Sequence, residues 1–134
     1  MHHEGFLNEC KRLARIADEN NESPVGAILV HNNKIIGSGI ESAKAHDVTC
    51  HAEILAIRDA VHQGFAKNLR QSILYSTHEP CLMCSYAIRH YRIPTIVCIH
   101  KVVSVGGVSS DFKVLETQAI ATWGDVPEII FWKG

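Results

Sequence analysis

Two short stretches carry side chains that can do chemistry together: Cys50-His51-Ala52-Glu53 and, further along, Glu79-Pro80-Cys81-Leu82-Met83-Cys84. His51, Cys81 and Cys84 supply one imidazole and two thiols, a ligand set suited to Zn²⁺; a catalytic zinc site takes three protein ligands and keeps its fourth position for water. Glu53 stands two residues beyond the histidine, close enough to handle protons at that water without being a ligand. A purely structural zinc site would need a fourth ligand, for which Cys50 or His78 is at hand, but such a site has no use for the carboxylate. A redox Cys-x-x-Cys pair would need no distant His-x-Glu.

Helix-like runs follow both stretches, Ile54 to Val61 and Ser85 to His90. Ligands and carboxylate therefore fall at helix N-termini, where free backbone N–H groups favour anions and lower thiol pKa values. Upstream, Phe6, Leu7, Cys10, Leu13, Ala14 and Ala17 recur at helical spacing and predict an amphipathic helix from about Glu4 to Glu19. Val25–Val30 and Lys34–Ile40 read as a hairpin turning at His31-Asn32-Asn33. The Gly37-Ser38-Gly39 cluster marks a place where something approaches the strand backbone closely. Ser72–Ser76, Thr95–His100 and Val126–Phe131 read as further strands, and Phe112–Ile120 as a short helix after the Gly106-Gly107 loop. Strand–helix–strand connections of this length imply parallel neighbours. The expected architecture is one domain over residues 1–134: a three-layer α/β/α fold around a mixed five-stranded sheet.

With 134 residues the chain can bury a sizeable core, and its hydrophobic (46%) and charged (20%) fractions are those of an ordinary globular domain. No apolar run reaches membrane-spanning length and no signal-like core follows Met1, so neither a membrane partner nor export is expected and a cytoplasmic location is. Five cysteines do not pair evenly, which fits free thiols and a thiolate site in a reducing compartment. Net charge is −1 and the basic residues are scattered, which argues against a polyanionic substrate, although Arg12, Arg15, Lys44, Arg89 and Arg92 could gather in space. His46, His62, His90, His100 and the His2-His3 pair lack partners at metal-ligand spacing and read as surface or packing residues, whereas Trp123 and Trp132 read as core or interface residues.

The His-x-Glu…Pro-Cys-x-x-Cys pattern, together with Pro24-Val25-Gly26-Ala27-Ile28-Leu29-Val30, resembles the cytidine deaminase-like superfamily, in particular its branch of cytosine, guanine and tRNA adenosine deaminases. The resemblance runs from about Glu4 to about Lys101. It implies a Zn²⁺ cofactor, a homodimer, and Glu53 as the catalytic carboxylate that moves protons from water to the ring and to the departing ammonia. It also implies backbone N–H groups of Ala52 or Cys84 near the reacting centre, with Val25, Glu41, His78 and Asp111 as further substrate-binding candidates and Phe112 beside Asp111 in a closing loop. Relatives usually carry asparagine where this chain has Glu41. An ionised glutamate only accepts hydrogen bonds, which points to a base edge rich in N–H donors. The expectation is therefore a small amino-heterocycle, guanine-like favoured and cytosine next, with RNA disfavoured. The alternatives are adenosine deamination in the tRNA anticodon and a catalytically inactive partner subunit built on the zinc fold. Relatives of the tRNA-acting kind typically add a helix after the last strand, and none is evident here.

Overall fold

A computed structural model describes residues 3–133. The elements in chain order are α1 (His3–Glu19), β1 (Gly26–His31), β2 (Lys34–Ile40), α2 (Ala52–His62), β3 (Ile73–His78), α3 (Leu82–Tyr91), β4 (Thr95–His100) and β5 (Glu128–Phe131), with 3-10 turns at Ala66–Gln71 and Ala121–Trp123. The described residues form a five-stranded sheet in the order β2-β1-β3-β4-β5, in which β1 is antiparallel to both neighbours while β3, β4 and β5 run parallel. This is the expected mixed α/β architecture. One detail differs: β2 and β3, joined through α2, run the same way but flank β1 instead of pairing, because the tight hairpin keeps β2 on the sheet edge. That hairpin turns through Asn32 and Asn33, both at positive φ (52° and 62°), the backbone of a two-residue turn whose twist matches its strands.

Alternation along the strands divides the core in two. Ile28, Val30, Tyr75 and Val97 face α1, where they meet Leu7, Cys10 and Leu13. Ala27, Leu29, Leu74 and Ile96 face the other way, against Ala56, Ile57 and Ala60 of α2 and Ile88 of α3. On that second face α2 presses directly on β2. A Cβ at Gly37 would come within 2.8 Å of Ala60 N, and one at Gly39 within 2.7 Å of Ala56 N, with Ala52 O closer still. The glycine cluster thus sets the height of the helix whose first turn carries the chemistry.

Phe112–Ile120 is not a helix. Lys113 takes a left-handed conformation (φ 51°), Leu115 N–H donates to Gly107 O, and the carbonyls of Val114 and Thr117 accept from Arg89 Nη1 at 3.0 and 2.8 Å. The segment's polar groups are committed to tertiary partners, which override its helical apolar spacing. His2 lies outside the described residues; His3 packs, with Nδ1 2.8 Å from Tyr75 Oη and its ring edge-on to Trp132. Among the described residues no helix is long and apolar enough to cross a membrane.

Candidate active site

The heads of α2 and α3 meet beyond the end of β3. His51 is the N-cap of α2 and Cys81 that of α3, which puts both side chains at helix heads, turned toward each other. His51 Nδ1 lies 3.4 Å from Cys81 Sγ and 3.6 Å from Cys84 Sγ. A nitrogen and a sulfur sharing one tetrahedral zinc at ordinary bond lengths stand about 3.6 Å apart. The three side chains are therefore placed to hold Zn²⁺ with Nδ1 as the histidine ligand atom. Among the described residues they are the one cluster of three or more such groups, and neither Cys50 nor His78 joins it. Three ligands leave a tetrahedral ion one position open, which fits a catalytic site and not a closed structural one.

The electrostatics suit thiolate ligation. A hydrogen bond from the Cys84 thiol brings the Cys81 thiol down to about 5, against the effect of burial and with help from the N–H groups of Cys84 and Met83 and from His51. The Cys84 thiol moves up because it supplies that hydrogen bond and is buried beside Glu53. A cation between the two sulfurs would remove this asymmetry.

Glu53 is 4% exposed, and burial pushes its carboxyl up to about 7, although its own N–H and the Ser76 hydroxyl pull the other way. Its Oε2 accepts from Ser76 Oγ at 2.9 Å, while Oε1 is 3.7 Å from Cys84 Sγ. A carboxyl poised near neutral pH beside the metal ligands can both take and give a proton. Glu53, His51 and Cys81 line an open cavity of about 270 Å³.

Of the sequence-predicted substrate contacts, Val25, Glu41 and His78 line that cavity as well. Glu41 does not point into solvent: it is 8% exposed, and its Oε1 accepts the N–H of Ala52 at 2.9 Å. Two candidates for touching substrate are thus bonded to each other, and Glu41 caps the first turn of α2 from outside the helix. His78 holds Thr77 Oγ1 at 2.9 Å through Nδ1 and stacks on His100 with ring centroids 4.9 Å apart; burial and that neighbour lower its pKa. Asp111 and Phe112 are exposed, and Val102 and Val105 of the preceding loop line the cavity in their place.

Sequence reasoning missed Ser76 and the part played by Glu79. Glu79 is 2% exposed, and its carboxylate accepts three backbone N–H groups: Val102 on Oε1 at 2.9 Å, with Val108 at 2.8 Å and Ser109 at 2.7 Å on Oε2. Desolvation raises its pKa, but those donors outweigh it and hold the carboxyl below its ordinary value. The only available signal was its place beside Pro80 in the cysteine motif. Arg89, expected among a possible surface patch of basic residues, is instead buried against the Trp123 ring, 5.0 Å from its centroid.

Comparison with known proteins agrees with this geometry. The family model described as "Cytidine and deoxycytidylate deaminase zinc-binding region" matches residues 1–100. The chain is 41% identical over 121 residues to the tRNA-specific adenosine deaminase of Aquifex aeolicus (strain VF5), covering 90% of this chain and 80% of that protein. It is 50% identical over 88 residues to the tRNA-specific adenosine deaminase of Buchnera aphidicola subsp. Baizongia pistaciae (strain Bp), covering 63% of this chain and 53% of that protein. A solved structure from a study of A-to-I editing by tRNA:A34 deaminases superimposes with a TM-score of 0.85 at 31% identity, over 96% of this chain and 98% of the other.

These relatives overturn the expectation of a small, guanine-like amino-heterocycle as substrate and of RNA as a disfavoured partner. Two physical reasons explain the misreading. The case for guanine treated the Glu41 carboxylate as wholly available to a base, whereas one oxygen is committed to Ala52. The case against RNA counted charges along the chain. In the fold Lys67 and Arg70 meet His90 at one cavity, and Arg70 meets Arg92 at the next, which Asp125 also lines, so basic residues from two separate stretches of sequence come together.

Proposed function

This chain belongs to the cytidine and deoxycytidylate deaminase zinc-binding family, and from that premise we propose that it is a hydrolase that deaminates adenosine to inosine in transfer RNA, at the wobble position of the anticodon. The observation that carries the substrate is the 41% identity over 90% of the chain to a tRNA-specific adenosine deaminase. The site supports the chemistry. Zn²⁺ on His51, Cys81 and Cys84 would supply Lewis acidity that activates water near neutral pH.

The rest is work for the chain's own groups. Glu53 accepts the proton of the attacking water as its oxygen bonds to C6 of adenine, and delivers it to N1. A second proton relayed through Glu53 goes to the exocyclic nitrogen as the C6–N6 bond breaks, so adenosine and water give inosine and ammonia. A carboxyl near 7 is matched to exchange in both directions. Val25 and Val105 give the cavity apolar walls, and His78, paired with Thr77 through Nδ1, adds a polar group to its lining. A cytoplasmic location and a homodimer belong to the same reading, and sedimentation of the purified protein tests the latter.

The substrate is tested by incubating zinc-loaded protein with an anticodon stem-loop carrying adenosine at the wobble position, with guanine and free adenosine in parallel. Inosine forms in the stem-loop, and the rate at low RNA concentration falls steeply as salt rises, because phosphate contacts release counterions. Turnover of the free compounds with none of the RNA would refute the reading.

A further inference from the structure

Ser76 occupies a position where the fold asks for an apolar side chain. It lies in the middle of β3, fully buried, paired with Ala27 on one side and Cys98 on the other, and it faces the same side of the sheet as Leu74. A hydroxyl there costs on the order of 1–3 kcal/mol unless its hydrogen bonds are made. Both are. Ser76 Oγ accepts the His78 N–H at 3.3 Å, which leaves its own hydrogen for Glu53 Oε2 at 2.9 Å.

We infer that Ser76 is a positioning residue for the reaction, and that it makes the two oxygens of Glu53 unequal. The inference rests on the reading of Glu53 as proton carrier. Oε2 is anchored in the sheet by a fixed donor, which engages one of its lone pairs and holds the carboxylate in one orientation. Oε1 receives the Cys84 thiol in a long contact of 3.7 Å, a donor that is lost when Cys84 ligates as a thiolate, and so it is the oxygen left to exchange protons with water and the base. Without the anchor the carboxylate could rotate and present either oxygen, or neither, to the reacting atoms. The loss should therefore appear in the chemical step and not in substrate binding.

The test compares Ser76→Ala, Ser76→Val and Ser76→Thr. Valine and threonine have the same shape, and only threonine keeps the donor, so packing effects cancel between them. In single-turnover and steady-state assays on the stem-loop, Ala and Val lower kcat by about 10-fold at unchanged KM and zinc content, and Thr recovers most of what Val loses. Infrared difference spectra of wild type against Glu53→Gln locate the Glu53 carboxylate band, which shifts in the Ala and Val variants and stays in place in Thr. This band does not depend on which substrate is correct. An inactive wild type with the band shift intact would therefore defeat the tRNA reading and spare this one. The inference is overturned if Val and Thr fall together, if KM rises while kcat holds, or if the band is the same in all four proteins.

Discussion

Glu53, in the first turn of α2, and Glu79, just before α3, are both almost wholly buried and line the same cavity, yet their environments drive them in opposite directions. Glu79 receives three backbone N–H groups and is held below its ordinary value; Glu53 has the Ser76 hydroxyl and a long contact from the Cys84 thiol, and burial lifts it to about 7. Desolvation is the largest single influence on both carboxyls; at Glu79, the less deeply placed of the two, three fixed donors outweigh it, and at Glu53 the donors present do not. A clamp is thus separated from a carrier: Glu79 ties the loop after β4 to the cysteine-bearing turn, and Glu53, held firmly through Oε2 and only loosely at Oε1, keeps Oε1 for proton transfer.

Substitutions can break the comparison. The largest effect is expected at the carrier: Glu53→Gln keeps zinc but lowers kcat by about 1,000-fold, measured as inosine formed per bound metal. Turnover within tenfold of wild type would remove Glu53 from the mechanism. At the clamp, Glu79→Ala strands the N–H groups of Val102, Val108 and Ser109 and costs about 3 kcal/mol in denaturant unfolding. Because its folded pKa is lowered, the Glu79 contribution is present above the ordinary carboxylate value of 4.5 and is lost as pH falls through the lower folded value.

Glu53 has the opposite sign. Its folded pKa is raised, so the stability it contributes relative to a neutral side chain is complete below pH 4.5 and disappears as pH rises through about 7. Zinc-stripped Glu53→Gln should match wild type at pH 4.5 and exceed it by about 2–3 kcal/mol at pH 8. Equal stabilities at pH 8 would show that burial does not penalise the Glu53 charge. The smallest expected change sharpens the comparison from outside: Gly39→Ala pushes on Ala52 O and Ala56 N at the head of α2. It should cost about 1–2 kcal/mol and weaken zinc binding about tenfold in competition with a chromophoric chelator, while the Glu79 loop is undisturbed.

The same contrast explains what the sequence made legible. His51, Glu53, Cys81 and Cys84 were readable because metal ligation demands particular side chains at particular spacings, and helices starting at those points bring the two halves together. The sheet, α1 and the hairpin were readable from periodicity and the Asn32-Asn33 turn. Ser76 was not, because its partner is 23 residues away and the strand pattern there reads as plain core. Nor were the Glu79 clamp and the fate of Phe112–Ile120, whose backbone groups are claimed by residues from 23 to 30 positions away, a tertiary commitment that leaves no local trace. The substrate was misread for a related reason: Glu41 looks free along the chain, and only the fold shows it bonded to Ala52.

Mass-spectrometric detection of inosine in an anticodon stem-loop, after incubation with zinc-loaded wild type and with zinc-loaded Glu53→Gln, decides whether this chain deaminates RNA through Glu53. The account predicts stoichiometric conversion of the wobble adenosine by wild type, with one ammonia released per inosine, and almost none by the variant. Equal conversion by the two proteins, or untouched RNA with wild type at full zinc occupancy, would contradict it.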